Sequence, residues 1–131
     1  GKLVVAGVGR NLFERDEAQA ERIAKGVQGE ADPGDVHAQT FARYAAEADQ
    51  DGQALAAFMR RKHYPLGESE FRLITHPVRV VLGTEDFAGP ADPLLECLSN
   101  SVLTELRGCD HFATPKNFGF IDAVLDHLEA F

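Results

Sequence analysis

Three short apolar runs stand out along the chain, separated by stretches whose apolar positions recur at helical spacing. The first is Leu3-Val4-Val5-Ala6-Gly7-Val8. The second is Val78-Arg79-Val80-Val81-Leu82, introduced by Pro77 and closed by Gly83. The third is Val102-Leu103-Thr104-Glu105-Leu106, closed by Gly108. The first two are β-branched and nearly continuous, which predicts strands covered on both faces of a parallel sheet. The third alternates more and is expected nearer a sheet edge.

Between the runs the period changes. Phe13 to Val27 is rich in Ala, Glu, Arg and Gln, with an apolar stripe at Ala20, Ile23, Ala24 and Val27. Asp32-Pro33 opens a second helical stretch whose buried side is expected from Val36, Phe41, Tyr44 and Ala45. Asp51-Gly52 interrupts it, and Leu55, Phe58 and Met59 continue as a third helix toward Arg61. Residues 12–70 therefore read as an all-helical insertion between two strands, too long for a simple crossover. A short helix is expected after Pro90, carrying Leu94, Leu95 and Leu98. In the last helix Thr114 is the expected N-cap and Pro115 the first helical residue, with Phe118, Ile121, Val124, Leu125 and Leu128 at helical spacing. Strand, helical insertion, strand, helix, strand, helix is the order of an α/β fold with a parallel sheet.

Composition narrows the partners. The 131 residues, 44% hydrophobic and 26% charged, suffice for a globular domain with a sizeable core. Thirteen basic against 21 acidic residues give a net charge of −8, so no nucleic acid and no anionic membrane surface is expected as a partner. Cys97 and Cys109 are too few for a disulfide framework and read as thiols of a reducing compartment, which favours the cytoplasm. No apolar run approaches a membrane span, and Gly1-Lys2 leads into a strand pattern rather than a signal peptide. A chain that opens inside an element in this way reads as a truncated piece of a longer fold.

In open α/β sheets the functional groups collect at the carboxyl ends of the strands. After the second run comes Gly83-Thr84-Glu85-Asp86-Phe87-Ala88-Gly89-Pro90, and after the third Gly108-Cys109-Asp110-His111-Phe112-Ala113-Thr114-Pro115. Each places a titratable group on a glycine-flanked loop, Asp86 on one and His111 on the other. A carboxylate that fixes the tautomer of an imidazole and stabilises its cation makes that imidazole a general base.

The stretch from Ile74 to Asp86 resembles the strand and acid turn of the α/β-hydrolases. Leu106 to Phe112 is similar to their histidine loop, and Pro115–Phe131 to their closing helix. The family order of nucleophile, acid, histidine agrees with Asp86 before His111. The resemblance implies that residues 1–11 and 71–131 belong to the C-terminal part of the hydrolase core and 12–70 to a helical cap. It further implies a cofactor-free hydrolase whose catalytic pair is Asp86 and His111, acting on an ester or related acyl compound, a small and apolar substrate. The family's nucleophile elbow, Gly-x-Ser-x-Gly or a variant, is absent: Ser69, Ser99 and Ser101 do not sit between glycines on a strand-to-helix turn. The 131 residues alone are therefore expected to be inactive, and their first strand, lacking a neighbour, to drive self-association.

Other assignments compete. Glu14 or Asp16 could supply the acid from the end of the first strand, and Glu85 and Asp110 are expected to face solvent or cap local amides. Gly7-Val8-Gly9 suggests a dinucleotide-binding turn, but Leu12 occupies the third glycine position. His37, His63, His76 and His127 show no metal-ligand spacing, so no metal is expected. Arg60-Arg61-Lys62-His63 reads as a solvated helix C-terminus. Phe41, Tyr44, Phe58 and Met59 read as helix packing before substrate pocket. A non-enzymatic interaction module with a hydrolase-like fold is the alternative from a different class.

Overall fold

The computed structural model describes residues 1–47 and 49–130, and Phe131, the expected end of the last helix, lies outside them. The chain forms two compact units, residues 1–14 with 65–131 and residues 15–64.

The first unit holds a three-stranded parallel sheet of β1 (Leu3–Ala6), β2 (Val78–Gly83) and β3 (Ser101–Leu106), in the spatial order β1-β2-β3. Register runs Val5 to Val80 to Leu103. The central β2 is buried on both faces, as its continuous β-branched run predicts, with Val80 and Val81 fully buried. β1 departs from that expectation: it ends at Ala6 rather than Val8 and is only half-buried. Among the described residues it pairs on one side only, so part of its surface has no cover. β3 alternates as expected and lies at the opposite edge.

Strand alternation sends successive β2 side chains to opposite faces. Val78, Val80 and Leu82 join Phe71, Ala88, Ala91, Leu94, Cys97 and Leu98 in one core cluster. Two short helices of this unit, α4 (Glu68–Arg72) and α5 (Asp92–Cys97), supply that side. Val81 points the other way, to Leu106, Cys109 and Ala123. Ala123 belongs to α6 (Phe118–Leu128). Arg79 on this second face donates to Thr104 Oγ1 at 3.1 Å and pairs with Asp126 of α6 at 3.2 Å.

α6 begins later than its sequence signals suggest. Thr114–Lys116 is a separate 3-10 turn, and Asn117, extended at φ −78° and ψ 125°, is the true cap, accepting from Gly119 N–H at 2.8 Å. Thr114 is instead buried, its hydroxyl donating to Asp110 O at 2.8 Å. Of the predicted stripe, Phe118, Ile121, Leu125 and Leu128 are exposed, and Phe120 and Ala123 turn toward the sheet.

The second unit is helical: α1 (Glu17–Val27), α2 (Val36–Glu47) and α3 (Gly52–Met59). α1 buries Ala20, Ile23 and Ala24, close to the predicted stripe. α2 follows expectation at Ala45 but not at Val36 or Tyr44. Ala38 and Ala45 are its buried residues, whereas Val36 is 74% exposed, because small side chains let α1 and α2 approach closely. Arg60, at the end of α3, donates to both carboxylate oxygens of Glu21 on α1 at 2.8 Å and lowers that carboxyl's pKa. Arg15 reaches back to the carbonyls of Met59 and Arg61.

Asp32-Pro33 forms a turn before α2, and the helix is capped by Asp35, which accepts from Ala38 N–H and from Arg22, both at 2.9 Å. The Ala38 hydrogen bond, with smaller help from Arg22, lowers the Asp35 pKa against the opposing effect of partial burial. A depressed folded-state pKa contributes stability above the unfolded carboxyl value that is lost as pH falls through the folded one. Asp35→Ala should therefore cost this unit about 1 kcal/mol at neutral pH, and the difference from the parent should vanish in strong acid. Urea unfolding followed by helical circular dichroism at both pH values checks this; an equal loss at both would show that the cap charge is not the cause.

Candidate active site

Two loops leave the carboxyl ends of β2 and β3 and are stitched together by backbone bonds. Thr84 N–H donates to Leu106 O at 3.0 Å and Glu85 N–H to Cys109 O at 3.1 Å. Thr84 Oγ1 accepts from Gly108 N–H at 2.9 Å. Gly83 permits this approach: a Cβ there would lie 2.0 Å from Cys109 O, so the histidine loop crosses directly over the end of β2.

The stitched loops bring Asp86 and His111 together. Nδ1 of His111 lies 3.1 Å from each carboxylate oxygen of Asp86, whose side chain is fully buried. Burying a carboxylate is costly unless its lone pairs are taken up. Here Oδ1 also accepts from Ala88 N–H at 2.8 Å, within the turn that Asp86 starts. This arrangement selects the tautomer with the proton on Nδ1. The imidazole keeps 32% of its side-chain surface exposed, and Nε2 has no hydrogen-bond partner among the described residues.

Three further groups shape the pocket around the ring. Phe87 packs on the imidazole at a centroid distance of 4.5 Å and an interplanar angle of 33°. Phe112 meets it edge-on at 5.7 Å. Gly7, just past β1 at φ +66°, closes another side: a Cβ there would come 3.1 Å from His111 Cε1. Asp86 also borders a cleft of about 310 Å³ that Leu103, Glu105 and Asp92 help to line.

Of the other candidates, Glu14 pairs with Arg10 at 3.4 Å, and Asp16 caps α1 by accepting from Gln19 N–H at 2.9 Å. Asp110 caps its own loop, accepting from Ala113 N–H at 2.8 Å. After Gly7-Val8-Gly9 the chain enters a 3-10 turn at Arg10–Leu12, so the turn lacks the long helix whose N-terminus would receive a dinucleotide's phosphates. Among the described residues no group of three or more His, Cys, Asp or Glu side chains is placed to hold a metal, and no helix is long and apolar enough to cross a membrane. Phe87, Gly7 and the Thr84 hydroxyl were not evident as site residues. Only the position of Phe87 directly after Asp86 could have signalled one of them.

No family model matches the chain, and no curated protein sequence matches it significantly. Solved structures do. A hydrolase from Pseudomonas aeruginosa aligns over 98% of this chain and 56% of its own, at 20% identity and a TM-score of 0.64. A bromoperoxidase from Bacillus anthracis aligns over 98% and 58%, at 16% identity and a TM-score of 0.56. An α/β-hydrolase enzyme from a Medee basin deep-sea metagenome library aligns over 99% and 56%, at 16% identity and 0.56. The chain has the α/β-hydrolase fold. It spans little more than half the length of these structures.

Proposed function

We propose that these 131 residues carry the acid and the base of an α/β-hydrolase catalytic triad, Asp86 and His111, with residues 12–70 as the helical cap. The observation that carries this reading is the contact of His111 Nδ1 with both oxygens of the buried Asp86 carboxylate, 3.1 Å each, beside an unengaged Nε2. In the reaction, Nε2 takes the proton of a nucleophile's hydroxyl or thiol as that group attacks an ester or related acyl carbon. The acyl–oxygen bond breaks, and the same nitrogen returns the proton to the leaving group. Asp86 holds the Nδ1 proton and offsets the charge of the transient imidazolium.

The nucleophile and the oxyanion-hole amides come from residues outside this sequence, which has no strand-to-helix elbow centred on a nucleophile. The purified 131-residue chain should therefore hydrolyse p-nitrophenyl esters no faster than buffer. The same assay on a chain in which a nucleophile-bearing segment precedes residue 1 should show turnover. Ester hydrolysis by the short chain that disappears in His111→Ala would overturn the division of labour, and a longer chain whose turnover ignores His111 would overturn the catalytic role.

The same reading makes the free edge of β1 an association surface, since parallel strands with unpaired amides and carbonyls recruit further strands. Leu3, 43% exposed, lies on that strand. Light scattering of the 131-residue chain should show dimers or larger species. A strictly monomeric profile across the concentration range would count against it.

A further inference from the structure

We propose that Phe87 is a positioning residue for His111: its ring sets the plane of the imidazole and thereby the direction of Nε2. This rests on the base role given to His111. The Asp86 contact holds one ring atom only, shared at 3.1 Å between two oxygens, so the ring can still swing about that contact. What blocks the swing is packing. Phe87 covers the ring from 4.5 Å at 33°, close to an offset stack, and Phe112 abuts it at 85°. Gly7 stands on the ring edge at Cε1 and Nδ1, and its lack of a side chain is what makes room for the imidazole there.

The same contact favours the reacting state. The face of a phenyl ring carries negative charge density and attracts a cation lying over it within about 6 Å. Phe87 thus adds to Asp86 in stabilising the imidazolium, from a direction the carboxylate does not occupy. Phe87 is rigidly aimed because it lies between two anchored neighbours in the acid turn, Asp86 bonded to His111 and Ala88 fully buried.

The test uses the 131-residue chain and proton NMR of the imidazole Nδ1–H, which resonates far downfield and exchanges slowly when the ring is held against a carboxylate. The parent should show the resonance and Asp86→Asn should lose it or move it upfield. Its absence in the parent, or indifference to Asp86→Asn, would sink the base assignment itself. Given that signal, Phe87→Leu keeps apolar bulk but not the flat face. It should broaden the resonance and speed its exchange with water roughly tenfold while the chain stays folded by circular dichroism, since the flat face is lost and apolar bulk is kept. Phe87→Tyr, which keeps the ring, should restore the parent signal. A sharp, slowly exchanging resonance in Phe87→Leu, or failure of Phe87→Tyr to restore it, overturns the positioning role while leaving the Asp86–His111 reading intact.

Discussion

Replacing His111 by alanine, in a chain that also carries the nucleophile segment, should lower kcat/KM for ester hydrolysis by about a million-fold. The loss belongs to kcat, because Nε2 acts on the proton in flight and not on the bound ester. Asp86→Asn should cost about ten-thousand-fold. Asparagine can fill the buried site, but it offers no charge to hold the Nδ1 proton and can bind the wrong tautomer. Its other effect is structural. A fully buried position now bonded to both Ala88 N–H and His111 would keep at most part of that set, costing about 1–3 kcal/mol of stability. Comparing kcat/KM with urea stability for the two variants separates these contributions. A His111→Ala protein within about tenfold of the parent would place the base elsewhere.

Gly83→Ala is expected to be the most damaging single methyl group in the sheet. Its Cβ would stand 2.0 Å from Cys109 O and 2.7 Å from Cys109 C, both backbone atoms held by Cys109 N–H to Leu106 O and by Glu85 N–H to Cys109 O. A flexible side chain could yield; a hydrogen-bonded backbone cannot do so without carrying the histidine loop away. About 3 kcal/mol of destabilisation follows from overpacking of this kind. His111 lies two residues beyond Cys109, so the same displacement should separate it from Asp86 and remove the downfield Nδ1 proton signal even where the chain remains folded. Urea unfolding and the NMR spectrum of Gly83→Ala test both parts. A change below about 0.5 kcal/mol would mean that the two loops do not cross as tightly as described.

The two variants probe different kinds of information. Asp86 and His111 were legible as a candidate pair because their signals are local: each follows an apolar run closed by glycine, and a parallel strand end is where an α/β sheet collects its chemistry. Gly83 was legible as a strand terminator but not as a crossing point. That role depends on a loop 26 residues later, whose path no local pattern encodes. Phe87 was signalled only by its place beside Asp86, since an aromatic residue in a turn gives no sign of which ring it will cover.

Helix α2 makes the limit concrete. Of its expected buried side, Val36, Phe41, Tyr44 and Ala45, only Ala45 is fully buried, and the other residue the helix buries is Ala38 rather than a large one. Periodicity reports that a helix has an apolar side; it does not report whether the neighbour comes close enough to demand small residues there. The start of α6 shows the same at the level of a cap. Thr114-Pro115 satisfies every rule for a helix start, yet its hydroxyl is taken by Asp110 O, and the helix waits for Asn117.

The sequence by itself determined the alternation of strands and helices, the acidic character of the chain, and the presence of a carboxylate and an imidazole on successive strand ends without a nucleophile elbow. Those properties reside in short windows, where backbone preference and side-chain period act without distant partners. Only the tertiary structure decided that Asp86 and His111 touch, that Gly83 lets their loops cross, and that Phe87 and Gly7 flank the imidazole. Each of these is a contact between segments far apart in the chain, and such contacts are set by how buried faces pack and which hydrogen bonds they must satisfy.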